Sequence, residues 1–268
     1  MIFLLKIIFK ELKDLIVKPK GKNFMWLVLR YGRFARYHQK KIEIDGFKII
    51  SPDILSFIWQ YKEIFTDESY KFKTQSVKPL IFDCGANIGV SCLYFSRNYP
   101  DARIKAFEAD PNIAGLLKKN LENNNLLNTQ VVDKAVWIEN GAINISIEGA
   151  DGASIHSNKN PVKVECVRLK ELLENEIKID LLKMDIEGAE YEVILDCRDS
   201  LKNVDNIFIE YHSITDSQQK LSEILSILEN NNFRYFIKPV NDREIPFINR
   251  TNKNNPSMDL QLNIFGYR

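Results

Sequence analysis

The chain has 268 residues and is 45% hydrophobic, which is enough to bury one large core. Its 37 basic and 36 acidic residues nearly cancel, so the overall charge argues against a nucleic-acid partner or a polyanionic substrate. The four cysteines form no C-x-x-C pair and have no histidines nearby at zinc-ligand spacing. This argues against a disulfide framework and a structural zinc site, and it fits a reducing cytoplasm.

The first 41 residues differ from the rest in charge, because they are rich in lysine and arginine and contain only Glu11 and Asp14 as acids. Apolar residues between Phe3 and Val17 recur every three or four positions, which predicts an amphipathic helix. Lysines interrupt the apolar run well short of a membrane span, and no signal-peptide pattern is present. We therefore expect a cytoplasmic protein whose apolar stripe packs against a second subunit, giving a homo-oligomer, or lies on the inner face of a membrane.

Further elements follow before the main domain. The pattern predicts a helix over Phe24–Tyr37, a β-hairpin over 41–50 that turns at Asp45-Gly46, and a helix over Asp53–Phe65. Residues 1–64 are thus predicted to form an N-terminal helical and hairpin extension. Residues 65–268 are predicted to form the main domain.

From Lys78 onward, short apolar runs alternate with helical stretches, which is the pattern of a parallel sheet built from βαβ units. The predicted strands are 80–83, 103–108, 129–133, 180–185, 206–210, 233–237 and 262–267, and the predicted helices lie near 90–97, 112–123, 169–174, 190–198 and 217–230. The sequence therefore predicts an α/β fold with a seven-stranded, mostly parallel Rossmann-like sheet and helices on both faces.

Residues 135–167 break this rhythm. Turns at Asn140-Gly141 and Asp151-Gly152 predict a hairpin-like insert. Two interpretations remain open: the insert covers the substrate, with Ser154 as a contact, or it is an exposed hairpin.

The segment Asp83-Cys-Gly-Ala-Asn-Ile-Gly89 follows a predicted strand and opens a helix, which places it where doubly wound folds bind ligands. We interpret Gly85 and Gly89 as positions where the backbone approaches the ligand, because a Cβ atom would block that approach. The spacing lacks the G-x-G-x-x-G pattern of a pyrophosphate site, and Asp83 would repel a phosphate. A cationic, phosphate-free nucleoside such as S-adenosylmethionine therefore fits this loop better than NAD or ATP.

Glu108 ends the next predicted strand, at the distance from the glycine loop that a ribose-binding carboxylate needs. A carboxylate at this point can accept hydrogen bonds from both ribose hydroxyls. Asn112 and the residues from Asp133 to Ala135 are predicted to flank the adenine.

Five ionisable residues follow two neighbouring predicted strands. They are Asp185, Glu187 and Glu190 after one strand, and Glu210 and His212 after the next. Crowded carboxylates repel one another unless a cation, a proton or a substrate hydroxyl balances them. Asp185 and Glu187 are therefore functional candidates, although either could instead cap the following helix, and Glu190 is interpreted as structural. His38 and His156 have no acidic neighbours in this pattern and are interpreted as surface residues.

Four segments taken together resemble the FkbM family of S-adenosylmethionine-dependent methyltransferases. They are Asp83-Cys-Gly-Ala-Asn-Ile-Gly89, Phe107-Glu-Ala-Asp-Pro111, Leu182-Lys-Met-Asp-Ile-Glu-Gly-Ala-Glu190 and Ile209-Glu-Tyr-His212. The likeness begins at about Phe65, and Glu63-Ile-Phe65 followed by Tyr70 is similar to a leading segment of some members. The resemblance implies a class I methyltransferase domain and O-methylation of sugars, polyketide-type rings or related secondary alcohols. It also implies that Asp83, Gly85, Asn87 and Glu108 lie at the methyl donor.

Methyl transfer to a hydroxyl needs an acceptor oxygen held in line with the methyl group and a group that takes its proton. His212 or Asp185 is the candidate base, with Glu187 and Glu210 orienting the acceptor. In a second version, Asp185, Glu187 and Glu210 hold Mg²⁺, since hard oxygen ligands suit that ion. The expected acceptor is a sugar or nucleotide-linked sugar of a surface glycan.

Two other functional classes remain open. A NAD-dependent oxidoreductase is disfavoured by the missing pyrophosphate spacing, and a non-catalytic protein of the same fold is disfavoured by the convergence of acids and a histidine. No stretch has the basic, aromatic-studded pattern of an RNA methyltransferase, so we expect no nucleic-acid acceptor.

Overall fold

The computed structural model describes residues 17–18, 20–147, 153–154, 161–215, 217–240, 243, 245–251 and 257–268. The amphipathic helix predicted to begin at Phe3, the turn at Asp151-Gly152 and His156 lie outside the described residues. Within these described ranges, no helix is both long enough and apolar enough to cross a lipid bilayer.

The N-terminal region forms two helices around a hairpin. Its elements are α1 (Gly21–Tyr31), β1 (Lys40–Ile44), β2 (Phe47–Ser51), α2 (Ile54–Tyr61) and a π-helical turn (Lys62–Thr66). The hairpin turns at Asp45 and Gly46, as predicted, and Asp53 caps α2 by accepting a hydrogen bond from a backbone N–H. Helix α1 ends well before the predicted Tyr37, because Gly32 follows its last residue and glycine is a poor helix former.

Seven strands make up the central sheet and lie where the apolar runs predicted them. They are β3 (Leu80–Cys84), β4 (Arg103–Phe107), β5 (Thr129–Val132), β10 (Ile179–Met184), β11 (Val204–Ile214), β12 (Arg234–Pro239) and β13 (Met258–Tyr267). Their order in space is β12-β13-β11-β10-β3-β4-β5, and β13 runs antiparallel to both of its neighbours. The other neighbouring pairs are parallel, which confirms the predicted α/β sheet.

Helices cover both faces of this sheet. They are α3 (Val90–Asn98), α4 (Pro111–Asn123), α5 (Leu169–Glu174), α6 (Glu190–Cys197) and α7 (Leu221–Asn230). Successive residues of β3 point to opposite faces, so Ile81 packs in one apolar cluster with Phe57 and Phe95 while Phe82 packs in the other with Val193. The first cluster contains residues of α2 and of α3, so the N-terminal region shares a core with the sheet.

The insert forms a second, smaller sheet. Its strands are β6 (Ala135–Trp137), β7 (Gly141–Ile147), β8 (Ala153–Ser154) and β9 (Pro161–Arg168), in the order β6-β9-β7-β8. Ala135, Ile145 and Val164 pack together as its core. The predicted hairpin is therefore part of a four-stranded sheet, and Ser154 enters it by pairing with Ser146.

Candidate active site

A cleft of about 1100 Å³, including its open mouth, lies at the carboxyl ends of β3, β4 and β10. Four parts of the chain line it: the loop after β3, the loop after β4, the loop after β10 and the inner side of the small sheet. The N-terminal region supplies a further wall through Gln60, Glu63, Ile64 and Tyr70. The cleft is thus at the edge of the sheet that the glycine loop predicted.

The two glycines of that loop lie close to other parts of the protein. Gly85 has a φ of 79°, and a Cβ atom on it would lie 1.8 Å from the carbonyl oxygen of Asp185. Gly89 has a φ of 88°, and its Cβ would lie 2.6 Å from Cδ1 of Leu117. Both glycines therefore have a packing reason that the prediction did not include. Gly85 lets the loop pass against the end of β10 and still lines the cleft, whereas Gly89 lets α3 begin against α4.

Asp83 does not line the cleft, because it is fully buried and pairs with a lysine that the sequence analysis missed. Its carboxylate lies 3.2 Å from Nζ of Lys183 and accepts a hydrogen bond from the hydroxyl of Ser91. Lys183 also donates to the carbonyl of Gly85 at 2.7 Å and lies 3.7 Å from Asp185. The predicted contact between Asp83 and the methyl donor is thus corrected, since Lys183 already neutralises this carboxylate.

Lys183 remains charged despite its burial. Burial lowers the pKa of Lys183, but the carboxylates of Asp83 and Asp185 outweigh this effect and raise the pKa above its ordinary value. The available signal in the sequence was a lysine inside the otherwise apolar run Leu181–Met184, which a buried strand tolerates only when the charge is paired.

Glu108 lines the cleft in the position predicted for a ribose-binding carboxylate. Its two oxygens accept hydrogen bonds from the backbone N–H groups of Asn87 and Asp110, both at 2.9 Å. Burial raises the pKa of Glu108 from 4.5 to about 7, because the desolvation of the carboxylate outweighs these two hydrogen bonds. The two backbone N–H groups therefore fix the direction of the side chain, and its carboxyl can form hydrogen bonds with hydroxyl groups of a ligand in the cleft.

The residues predicted to flank the adenine do not all lie at the cleft. Ala135 lines the cleft, together with Ile113 and Val136. Asn112 and Asp133 are exposed and do not line it, and Asp133 instead pairs with Lys118 on the surface. These two residues are removed from the candidate site, and apolar side chains replace them.

The loop after β10 presents two of its three acids to the cleft. Asp185 and Glu187 line it, whereas Glu190 is fully buried. The carboxylate of Glu190 accepts hydrogen bonds from the backbone N–H groups of Ile186 and Gly188, each at 3.1 Å. Glu190 therefore has the structural role that was predicted, because it holds the loop that positions the other two acids.

His212 does not line the cleft, and carboxylates surround its ring. Its Nδ1 lies 3.1 Å from Glu190, and its Nε2 lies 3.8 Å from Glu187 and 3.7 Å from Glu210. Burial lowers the pKa of His212, but these carboxylates outweigh burial and raise the pKa well above 6.5. The ring lines a separate recess of about 530 Å³. The structure thus places the predicted base outside the cleft, and its role as proton acceptor stays a prediction.

The predicted magnesium ligands do not assemble as a set of oxygens. Glu210 does not line the cleft, and burial together with Asp185 raises the pKa of Glu210 well above its ordinary value. Among the residues that the structure describes, the group whose ligand atoms converge to within 4.8 Å is Asp185, Glu187 and His212. Two carboxylates and an imidazole differ from the all-oxygen set that suits Mg²⁺, so these residues do not match the predicted magnesium site.

Two predicted acceptor contacts have different outcomes. Glu210 accepts a hydrogen bond from Gln261 at 2.6 Å and is removed from the acceptor site, because it does not line the cleft. The backbone of Ser154 is described in β8, but its side chain is not, so its contact with the acceptor stays a prediction.

The strand order, with an antiparallel β13 beside β11, and a cleft at the ends of β3 and β4 define the class I methyltransferase fold. The chain belongs to the FkbM methyltransferase family, because the profile described as "Methyltransferase FkbM domain" matches residues 83–235. This membership confirms the resemblance and places the chain among methyltransferases rather than oxidoreductases or non-catalytic proteins.

Three similar proteins are named methyltransferases. Methyltransferase sdnD of Sordaria araneosa is 34% identical over 57% of this chain and 73% of its own length. The 2-O-methyltransferase NoeI of Sinorhizobium fredii is 29% identical over 56% of this chain and 71% of its own length. The hexuronic acid methyltransferase AglP of Haloferax volcanii is 24% identical over 79% of this chain and 89% of its own length.

Proposed function

We propose that this chain is an S-adenosylmethionine-dependent O-methyltransferase that acts on a hydroxyl of a sugar or nucleotide-linked sugar. The observation that carries the proposal is Glu108, a buried carboxyl that two backbone N–H groups orient at the edge of a partly apolar cleft. Two relatives support the acceptor class, since one is named a 2-O-methyltransferase and another a hexuronic acid methyltransferase.

The donor site is assigned to the residues between the loop after β3 and the small sheet. Glu108 binds the ribose hydroxyls, and the apolar side chains of Ile113, Ala135 and Val136 flank the adenine. The bound donor supplies a methyl group activated by a sulfonium. Asp110 lines the same part of the cleft, and acids at a nucleoside site favour a cation over a phosphate.

Asp185 is assigned as the proton acceptor, with Glu187 orienting the acceptor sugar. Both line the cleft, and the buried Glu190 fixes the loop that carries them. The acceptor oxygen forms its bond to the methyl carbon as the carbon–sulfur bond breaks, and the hydroxyl proton passes to the carboxylate of Asp185. Positioning within about 3 to 3.5 Å supplies much of the rate enhancement.

The first test is calorimetry with S-adenosylmethionine, S-adenosylhomocysteine and NAD. We expect heat with the first two ligands, and binding of NAD alone would overturn the proposal. Turnover is then measured as S-adenosylhomocysteine release against a panel of nucleotide sugars. EDTA should leave the rate unchanged, because the residues do not fit Mg²⁺.

The second test is the Asp185→Asn variant. We expect kcat to fall about 10² to 10⁴-fold while the affinity for S-adenosylhomocysteine stays within a few-fold, because the amide keeps the shape but accepts no proton. Asp199→Asn, on an exposed carboxylate outside the cleft, is the matched control. A wild-type rate for Asp185→Asn would remove Asp185 from this role.

A further inference from the structure

Glu63 brings to the cleft a carboxyl from outside the segment that matches the family profile. It lies in the π-helical turn, before residue 83 where the match begins. Its Oε1 accepts a hydrogen bond at 2.8 Å from Nδ2 of Asn263, which lies beyond residue 235 where the match ends. Residues from before and after the matched segment thus meet and hold one acid at the cleft.

Glu63 differs from the other acids of the cleft in its partners. Glu108 accepts hydrogen bonds from two backbone N–H groups, and Asp110 accepts one from the N–H of Asn112. Asp185 lies near the ammonium of Lys183, and Glu187 lies near the ring of His212. Within the described part of the chain, Glu63 takes part in no ion pair, and the neutral amide of Asn263 is its hydrogen-bonding partner. Glu63 is half-buried, and a half-buried carboxylate with no cation in direct contact favours a ligand that supplies one.

Asn263 positions the carboxyl of Glu63 from inside the fold. It is 5% exposed and does not line the cleft, and its Nδ2 donates to Oε1 of Glu63. A buried neutral amide fixes the direction of the carboxyl but leaves its charge unbalanced. The carboxyl of Glu63 is therefore the group of this pair that faces a ligand in the cleft.

The surrounding charges agree with this assignment. Burial raises the pKa of Glu63, and the nearby Asp185 raises it further, whereas Lys183 and Lys238 lower it only in part. Glu210 and Tyr70 are further neighbours whose own titration responds to Glu63. A cation bound at this carboxyl would relieve the repulsion from Asp185.

We propose that Glu63, held in place by Asn263, binds the α-ammonium group of the methyl donor. The ammonium donates a hydrogen bond to the carboxylate of Glu63. This assignment rests on the proposed function, and it replaces Asp83, whose charge Lys183 neutralises inside the fold. The position from which this chain recognises the amino-acid part of its donor thus lies outside the family-matched segment.

Three ligands that share the adenosine thioether test this assignment by calorimetry. S-adenosylhomocysteine carries an ammonium and a carboxylate, S-adenosyl-3-thiopropylamine carries the ammonium alone, and 5′-methylthioadenosine carries neither. We expect Glu63→Gln to weaken the first two ligands by about ten- to a hundredfold, as expected for loss of a hydrogen-bonded charge. Its affinity for 5′-methylthioadenosine should stay within twofold of wild type.

Controls separate recognition from folding. Glu68→Gln changes a carboxylate of the same segment that pairs with Lys71 and does not line the cleft, so all three affinities should remain as in wild type. Asn263→Leu should weaken the two ammonium ligands, and thermal unfolding reports whether each variant folds. Equal weakening of all three ligands by Glu63→Gln, or no weakening at all, would overturn the inference. A wild-type protein that binds none of the three would overturn the proposed function itself.

Discussion

Lys183 lies in β10, where every side chain is buried, and its ammonium balances Asp83 and Asp185 at once. Its hydrogen bond to Gly85 ties the glycine loop to the end of β10. This one buried cation therefore fixes the position of the glycine loop at the cleft and lies beside Asp185, the candidate base. The sequence analysis did not identify Lys183, although the geometry of the cleft depends on it.

The raised pKa of Glu108 gives opposite pH dependences to the stability of the fold and, in the proposed function, to the affinity for the methyl donor. Because its pKa rises from 4.5 to about 7 in the folded state, its contribution to stability is full below pH 4.5 and is lost as the pH rises through 7. The change amounts to at most about 3 kcal/mol. In the proposed function, donor binding instead favours the ionised carboxylate, which would accept hydrogen bonds from both ribose hydroxyls.

We expect Glu108→Gln to lose this part of the pH dependence of unfolding between pH 5 and pH 8. We also expect it to bind S-adenosylhomocysteine at least about tenfold more weakly at pH 8, because an amide accepts fewer hydrogen bonds. Denaturant unfolding at both pH values and calorimetry measure the two effects. A variant that keeps both the wild-type slope and the wild-type affinity would show that Glu108 does not bind the ribose.

His212 is expected to act through stability rather than through proton transfer. Its raised pKa means that its pairing with Glu190 is fully present below pH 6.5 and is lost as the pH rises through the folded-state value. His212→Gln should lower the free energy of unfolding by about 3 to 5 kcal/mol at pH 7, because Glu190 would remain buried without a cation. Thermal unfolding against pH measures this loss, and the additional change Glu190→Gln should recover part of it. A fully stable His212→Gln variant with a lost rate would instead restore the histidine as a base.

At the scale of elements, the glycine loop can pass close to the end of β10 only because residue 85 has no side chain. Gly85 and Gly46 form a matched pair, because their φ angles are 79° and 78°, yet a Cβ on Gly46 would meet nothing within 4 Å. We expect Gly46→Ala to cost about 1 to 2 kcal/mol from backbone strain alone. Gly85→Ala should cost more than about 4 kcal/mol or prevent folding, since its Cβ meets a backbone oxygen. Equal losses in denaturant unfolding would contradict the close approach.

The strands could be predicted because a parallel sheet buried on both faces requires continuous apolar runs. Their ends could not always be predicted. Strand β11 continues to Ile214, beyond the apolar run that ends near Glu210, because β13 pairs with it along its length. Pairing with a partner about fifty residues later in the chain leaves no local signal.

At the scale of the whole molecule, the N-terminal region is part of the wall of the cleft. Tyr61 of this region stacks on Phe65 at 5.1 Å between ring centroids, and Phe65 packs edge-on against Tyr94 of α3 at 5.4 Å, so the apolar core runs across the predicted boundary at residue 64. That boundary stays a prediction. The region nevertheless keeps apolar side chains at its surface, including Trp26, Leu29 and Trp59.

We expect these side chains to pack against a second copy of the chain and give a homodimer. Leu29 is 84% and Trp59 67% exposed, and large exposed apolar groups that lie in one region mark contact surfaces. Light scattering of the wild type should give twice the mass of the monomer, and the variant Trp26→Ser with Leu29→Ser should give the monomer. Phe247→Ser, at a side chain 92% exposed elsewhere, should leave the mass unchanged. A monomeric wild type that co-sediments with anionic liposomes would favour the membrane instead.

The sequence by itself determined the order of strands and helices, the family and the placing of Glu108, Asp185 and Glu187 at one edge of the sheet. It could do so because periodicity and strand-end motifs are local properties. Only the tertiary structure decided which charges are free to act on a ligand. Burial and pairing join residues far apart in the chain, so Asp83 and Lys183 neutralise each other inside the fold while Asn263 holds Glu63 at the wall of the cleft.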